Sequence, residues 1–166
     1  MLSKLFGKKS RKDDDALDIE FLQEVELFKK LTKKEIRRFS DLFIYKEYQH
    51  NEEIFREHYP HVVFYIIKSG KVKLYHDTTD SETESLIEVL CAKKIFGEIG
   101  VFADINRVFS AAAIENTVLI AVNKTDFINF VKNNPATGIK LMYNLSHITV
   151  SKLLTYIAGF NDYEKK

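Results

Sequence analysis

The sequence is poor in rigid and covalent constraints. Its 166 residues include one cysteine, Cys91, two prolines, Pro60 and Pro135, and no tryptophan. A single cysteine excludes an internal disulfide, so the expected setting is reducing and cytoplasmic. Charge of one sign is lacking as well: 25 Lys and Arg stand against 24 Asp and Glu, a net charge of +1. Such a balance supplies no field for nucleic acid or a membrane surface. No apolar run approaches the ~18 residues of a membrane span. The opening Met1-Leu2-Ser3-Lys4-Leu5-Phe6 meets charge at once and is no signal peptide. What is present is ordinary for a globular protein, 45% hydrophobic and 30% charged, on a length that suits one domain with a real core.

Glycine is scarce too, six in all, and two of them fall in the stretch that organises the chain, Phe96 to Ala113. Gly97 and Gly100 let a backbone turn tightly and approach a ligand. Free N–H groups at the start of a short helix, joined by the guanidinium of Arg107, make a phosphate site. Glu98 would repel a phosphate, so its carboxylate is assigned to a ribose hydroxyl, as acidic residues are in dinucleotide sites. An anionic group plus a sugar is a nucleotide. The competing reading is a pair of turn glycines beside a surface Glu98–Arg107 ion pair.

Phe96-Gly97-Glu98, a hydrophobic Ile99, a small Gly100 and then Arg107 after a short loop resemble the phosphate-binding cassette of the cyclic nucleotide-binding domain. That family includes the bacterial catabolite activator protein, the regulatory subunits of protein kinase A and the cyclic nucleotide-gated channels. Phe64-Tyr65-Ile66-Ile67, followed by Ser69-Gly70 and Val72, is similar to a second family phrase. The resemblance covers about residues 22–158. It implies a mainly β fold with flanking α-helices: an eight-stranded jelly-roll β-barrel, N-terminal helices and a long C-terminal helix. It implies that Gly97 and the amides after it hold the phosphate, that Glu98 takes the ribose 2′-hydroxyl and that Arg107 pairs with the cyclic phosphate. The expected site is Gly97, Glu98, Ile99, Gly100, Arg107, Val108 and Phe109, with Gly70 a weaker candidate.

In chain order, residues 1–20 are a charged tail, Lys4, Lys8, Lys9, Arg11 and Lys12 against Asp13, Asp14, Asp15, Asp18 and Glu20. Two readings stand for it, a solvated tail or a docking helix using Leu2, Leu5 and Phe6. The domain is expected over 21–160, with a polar tail at 161–166. Residues 18–40 read as helix, with Phe21, Leu22, Val25, Phe28 and Leu31 at helical spacing. Thr32 and Glu35 form a capping box that starts a second helix reaching about Leu42. Strands are expected at 44–48, 53–57, 62–67, 71–76 and 85–90, with an exposed hairpin loop over 77–85. Asn51 stands where the family has glycine, at a position of positive φ. Asn123 is the expected N-cap of a helix carrying Phe127, Phe130 and Val131, and Asn134-Pro135 ends it. The last helix should run from about Ala136 to Ala158 with Gly159 as its stop. It carries two apolar sets. Leu141, Met142, Leu145 and Ile148 form one; Val150, Leu153, Leu154 and Ile157 form the other. Either both are core, or the second meets another copy of the chain, as the family's C-terminal helix often does.

The departures from the family bear on the ligand. A serine or threonine and then alanine usually follow the arginine; here they are Val108 and Phe109. Valine donates no hydrogen bond, a loss of ~1–2 kcal/mol. Alternation from Arg107 turns Phe109 to the arginine's face, where it would fill part of the pocket; a bulge would reverse it and make the ring core packing. His58, His61 and Cys91 also replace common glycine or turn residues.

The expected function is a stand-alone regulatory module that binds a cyclic nucleotide, cyclic AMP before cyclic GMP, and signals through its last helix to a separate effector protein. The base would lie under that helix within reach of Thr149, Ser151, Lys152 or Tyr156. The alternative is a pseudo-receptor of the same fold, blocked by Phe109, that serves as an interaction or dimerisation domain. In the family a DNA-reading unit follows the C-terminal helix, and the sequence ends at Lys166, so direct DNA binding is not expected. Nor is an enzyme: no serine sits on a nucleophile elbow and Cys91 has no evident base. No metal or cofactor is expected, since His50, His58, His61, His76 and His147 lack the spacing of a metal cupin.

Overall fold

The computed structural model describes residues 15–76 and 85–163, and side chains within 19–158 of those. Most of the expected N-terminal tail, the hairpin loop over 77–84 and residues 164–166 lie outside the described residues.

Helix α1 (Asp15–Glu24) buries Ile19 and Leu22, and a 3-10 turn at Glu26–Phe28 follows rather than one continuous helix. Thr32 then opens α2 (Lys33–Ser40). Its hydroxyl accepts from the Glu35 amide at 3.2 Å, and the Glu35 carboxylate accepts from the Thr32 amide at 2.7 Å. Two otherwise orphaned donors are thus satisfied. The helix stops at Ser40, short of Leu42.

Eight strands follow: β1 (Ile44–Tyr48), β2 (Glu53–Phe55), β3 (Val63–Ser69), β4 (Lys71–His76), β5 (Ser85–Cys91), β6 (Ile95–Phe96), β7 (Ser110–Ala113) and β8 (Thr117–Asn123). They form two antiparallel four-stranded sheets, ordered β1-β8-β3-β6 and β2-β7-β4-β5. The jelly-roll strand content is as the resemblance implied, but the barrel is not closed. Each sheet keeps its own ladder, and the strands that would bridge them, β2 and β6, have only three and two residues.

Strands β3 and β8 explain their unbroken apolar runs. Side chains alternate across a strand. Phe64, Ile66, Ile120 and Val122 face the helices, where they join Leu22, Phe28, Phe39, Phe127, Leu141 and Leu145. Tyr65, Ile67, Leu119 and Ala121 face the second sheet and meet Val72, Leu74 and Ala111. A sheet covered on both sides needs apolar residues at every position. Asn51 takes φ 64, as expected of the residue replacing glycine, and His58 and Lys93 take 69 and 73.

Between β6 and β7 lies the four-residue helix α3 (Ile99–Phe102). After β8, Asn123 caps α4 (Lys124–Asn133) by accepting from the Thr125 amide at 2.8 Å. Pro135 then opens α5, Pro135–Tyr163, 29 residues long. Gly159 does not stop it, and the expected polar tail from 161 is helical up to Tyr163. A glycine inside a helix costs only about 1 kcal/mol, and it ends one only where the chain turns left-handed, which here it does at Gly70 and Gly97 alone among the described glycines. The first apolar set of α5 is core: Leu141 and Leu145 are fully buried and Ile148 nearly so. Val150, Leu153, Leu154 and Ile157 are exposed, so the reading in which both sets are core is wrong.

Candidate functional site

Arg107 is placed by backbone before its side chain acts. Its N–H donates to Tyr59 O and its carbonyl accepts from the His58 amide, both at 2.8 Å. The arginine therefore precedes β7 by an irregular segment and does not open the strand, which starts at Ser110. Its guanidinium lies 3.9 Å over the Phe55 ring and donates from Nη2 to Val63 O at 2.6 Å. Only 4% of the residue is exposed, yet Nε and Nη1 have no hydrogen-bond partner among the described residues. Burial pushes its pKa down to about 10, with the nearby Tyr65 and Glu98 opposing. The group is still a cation at neutral pH. A buried cation with two idle donors is costly, and an anion is what would satisfy it.

Gly97 and Gly100 are both required, for different reasons. Gly97 holds φ +71. Gly100 abuts His61, whose ring would lie 2.5 Å from any Cβ added there. His61 is 6% exposed and its Nε2 is 2.7 Å from Gly97 O, so the imidazole buttresses the cassette from beneath. Burial first, and then the charge of Arg107, pushes its pKa down to about 4. The imidazole is neutral at pH 7, which spares Arg107 a second cation beside it.

Glu98 is 2% exposed and sits at the N-cap of α3 without capping it. Its carboxylate instead meets α5, where Lys152 Nζ lies 3.0 Å from Oε1 and also donates to Ile95 O. A cavity of about 230 Å³ lies here. Leu74, Glu98, Ile99 and Phe109 form one side; Thr149, Lys152, Leu153 and Tyr156 of α5 form the other.

The expected residues thus divide. Glu98, Ile99 and Phe109 line the cavity, while Gly97, Gly100 and Arg107 are not among its lining residues. Val108 is 41% exposed and is not among the residues lining this cavity. Phe109 shares the face of Arg107, as expected: burial alternates over residues 107–109 although they are outside any strand, and the ring lies 6.1 Å from Phe55 at the edge of the inter-sheet core. Of the four residues expected to reach a base, Thr149, Lys152 and Tyr156 line the cavity and Ser151 does not. Gly70, at φ +86 and packed on Thr117, is a hairpin glycine. Phe55, Val63 and the buttress His61 escaped the sequence reading, because each reaches the cassette from a distant part of the chain.

The jelly roll thus sets a buried guanidinium near a buried carboxylate, and the carboxylate meets α5. The family model for the cyclic nucleotide-binding domain matches residues 45–134, and the chain belongs to that family. It is 33% identical to the potassium channel AKT1 of Arabidopsis thaliana over 49% of this chain and 9% of the channel. It is 25% identical to the cyclic AMP receptor protein of Thermus thermophilus over 76% of this chain and 56% of the receptor. The chain therefore spans less than two thirds of these curated relatives. A cyclic nucleotide-binding domain from Methylobacillus flagellatus shares the fold, with a TM-score of 0.81 at 17% identity over 90% of this chain and 85% of that one. Among the described residues no helix is long and apolar enough to cross a membrane, and no group of three or more His, Cys, Asp or Glu side chains could hold a metal.

Proposed function

We propose that this chain is a non-catalytic regulatory module of a cytoplasmic pathway that binds cyclic AMP in preference to cyclic GMP and signals to a separate protein by moving α5. The observation that carries the reading is Arg107, nine-tenths buried and charged, with two donors unused beside Gly97. Gly97, Glu98, Ile99, Gly100 and Arg107 would form the phosphate–ribose site, and Glu98 would accept the 2′-hydroxyl. The preference for adenine rests on Val108. The family's hydroxyl at this position helps hold the guanine 2-amino group, and valine has none. Ligand would act by population shift, favouring the arrangement of α5 that it binds better. The exposed apolar set of α5 is also where a second copy of the chain would dock.

Calorimetric titration with cyclic AMP, with Arg107→Ala as the control, tests the reading. One site per chain, abolished in the variant, is expected. No heat at millimolar nucleotide from folded protein would overturn it. Equal affinity for cyclic AMP and cyclic GMP would overturn the base preference alone.

One observation favours a second reading. Phe109 lines the cavity. A module blocked there would serve as an interaction or dimerisation domain without a ligand.

A further inference from the structure

The apolar attachment of α5 to the body ends at Ile148. From Thr149 to Ala158 only three residues are not exposed: Thr149, Lys152 and Tyr156. The Thr149 hydroxyl is spent on its own helix, donating to Leu145 O. Two polar side chains one turn apart are what remain. Lys152 donates to Glu98 Oε1 at 3.0 Å and to Ile95 O; Tyr156 donates to Glu88 Oε2 at 2.7 Å.

Glu98 is the informative partner. It is almost fully buried, and Lys152 supplies the one opposite charge hydrogen-bonded to it. A buried carboxylate left alone is strongly unfavourable, so the pair holds that part of α5 more firmly than an exposed ion pair would. Yet Glu98 is also the group assigned to the ribose hydroxyl. The lysine and a ligand sugar would meet the same carboxylate in the same cavity.

We infer that Lys152 is an internal lock: its ammonium takes the place of the ribose hydroxyl on Glu98, pins the outer half of α5 over the cavity, and must be displaced for a nucleotide to bind. The displacement half of this inference rests on the nucleotide reading above; the pinning half does not. The lock is selective. A ligand that offers an anion to Arg107 and a 2′-hydroxyl to Glu98 satisfies the idle guanidinium and takes the lysine's place on the carboxylate, whereas a nucleotide without the hydroxyl must break the lock and leaves Glu98 unpaired. Because the pinned form binds poorly, apparent affinity is reduced by the fraction of chains that are locked.

The test uses Lys152→Met, with Lys152→Arg as a charge-retaining control. Without nucleotide, hydrogen exchange over residues 149–157 should quicken in Lys152→Met and stay near the parent in Lys152→Arg. Glu98→Gln breaks the lock from the other side and should quicken exchange too, which covers the case of a Met variant that fails to fold. An unchanged exchange rate in whichever of these two variants folds overturns the pin. With nucleotide, Lys152→Met should bind cyclic AMP on the order of tenfold more tightly than the parent. 2′-Deoxy cyclic AMP, which cannot take the lysine's place on Glu98, should bind the parent more weakly than cyclic AMP and should gain by a similar factor in the variant, because the same locked state is removed. Equal or weaker binding of cyclic AMP by the variant overturns displacement and makes Lys152 a ligand-holding or neutral residue. If neither protein binds nucleotide while the exchange difference persists, the nucleotide reading and displacement fail together, and the pin stands.

Discussion

The residue at position 97 and the side chain at position 107 are fitted to each other: a Cβ on Gly97 would stand 2.5 Å from Arg107 Nη1. The backbone there is also left-handed, at φ +71, which side chains rarely adopt. Gly97→Ala must therefore strain the turn and push the guanidinium off Phe55. The expected cost is about 1–3 kcal/mol in denaturant unfolding, with loss of cyclic AMP binding by calorimetry. A variant as stable as the parent that still binds would show that the arginine has another resting place.

Acid should unfold the protein in two separate windows. His61 is ordinarily a group of pKa 6.5 and is held near 4 in the fold. The unfolded chain takes up a proton at higher pH than the folded one. Its contribution is therefore complete above pH 6.5 and is lost as pH falls from 6.5 toward 4, by up to about 3 kcal/mol. Glu35 is lowered from 4.5 to about 2, chiefly by Lys140 and then by the Thr32 amide. Its contribution is complete above pH 4.5 and is lost between 4.5 and 2. Denaturant midpoints taken stepwise in pH should show both slopes. His61→Gln should flatten the upper one and Glu35→Gln the lower.

Phe109 is one of the residues lining the cavity. Phe109→Ala should tighten nucleotide binding several-fold if the ring obstructs the ligand. Because the side chain is half-buried against Phe55, a modest stability loss of about 1–2 kcal/mol should accompany the change. Binding that appears only in the variant would identify the parent as the blocked form. Weaker binding would mean that the ring packs against the ligand.

The outer face of α5 should set the oligomeric state. Leu154 and Ile157 are 60% and 49% exposed. If they meet a second copy, Leu154→Glu with Ile157→Glu should convert a dimer to a monomer in sedimentation velocity. A parent protein that is monomeric at all concentrations would remove the homodimer from consideration.

Local chemistry was readable where it is complete within a few residues. Thr32 and Glu35 form their capping box, Asn123 caps α4, and Asn51 adopts the positive φ expected where glycine is usual. Gly159 misled because a stop requires a left-handed turn after it, and a lone glycine also fits inside a long helix. Alternation from Arg107 put Phe109 on the arginine's face, and both side chains meet Phe55, although residues 107–109 lie before β7.

By itself the sequence determined the mainly β architecture, the cassette and its resemblance, because strand periodicity, caps and motif spacing are short-range properties. The tertiary structure alone decided what surrounds the cassette. It left the two sheets unclosed, since closure depends on strand pairing across the whole molecule. It placed His61 under Gly100, Val63 and Phe55 around Arg107, and Lys152 on Glu98. Residue 98 stands just before a short helix and residue 152 lies in a long one, with two strands and another helix between them. Only the packed fold brings a carboxylate and an ammonium within 3.0 Å, and burial is what turns that approach into a strong interaction.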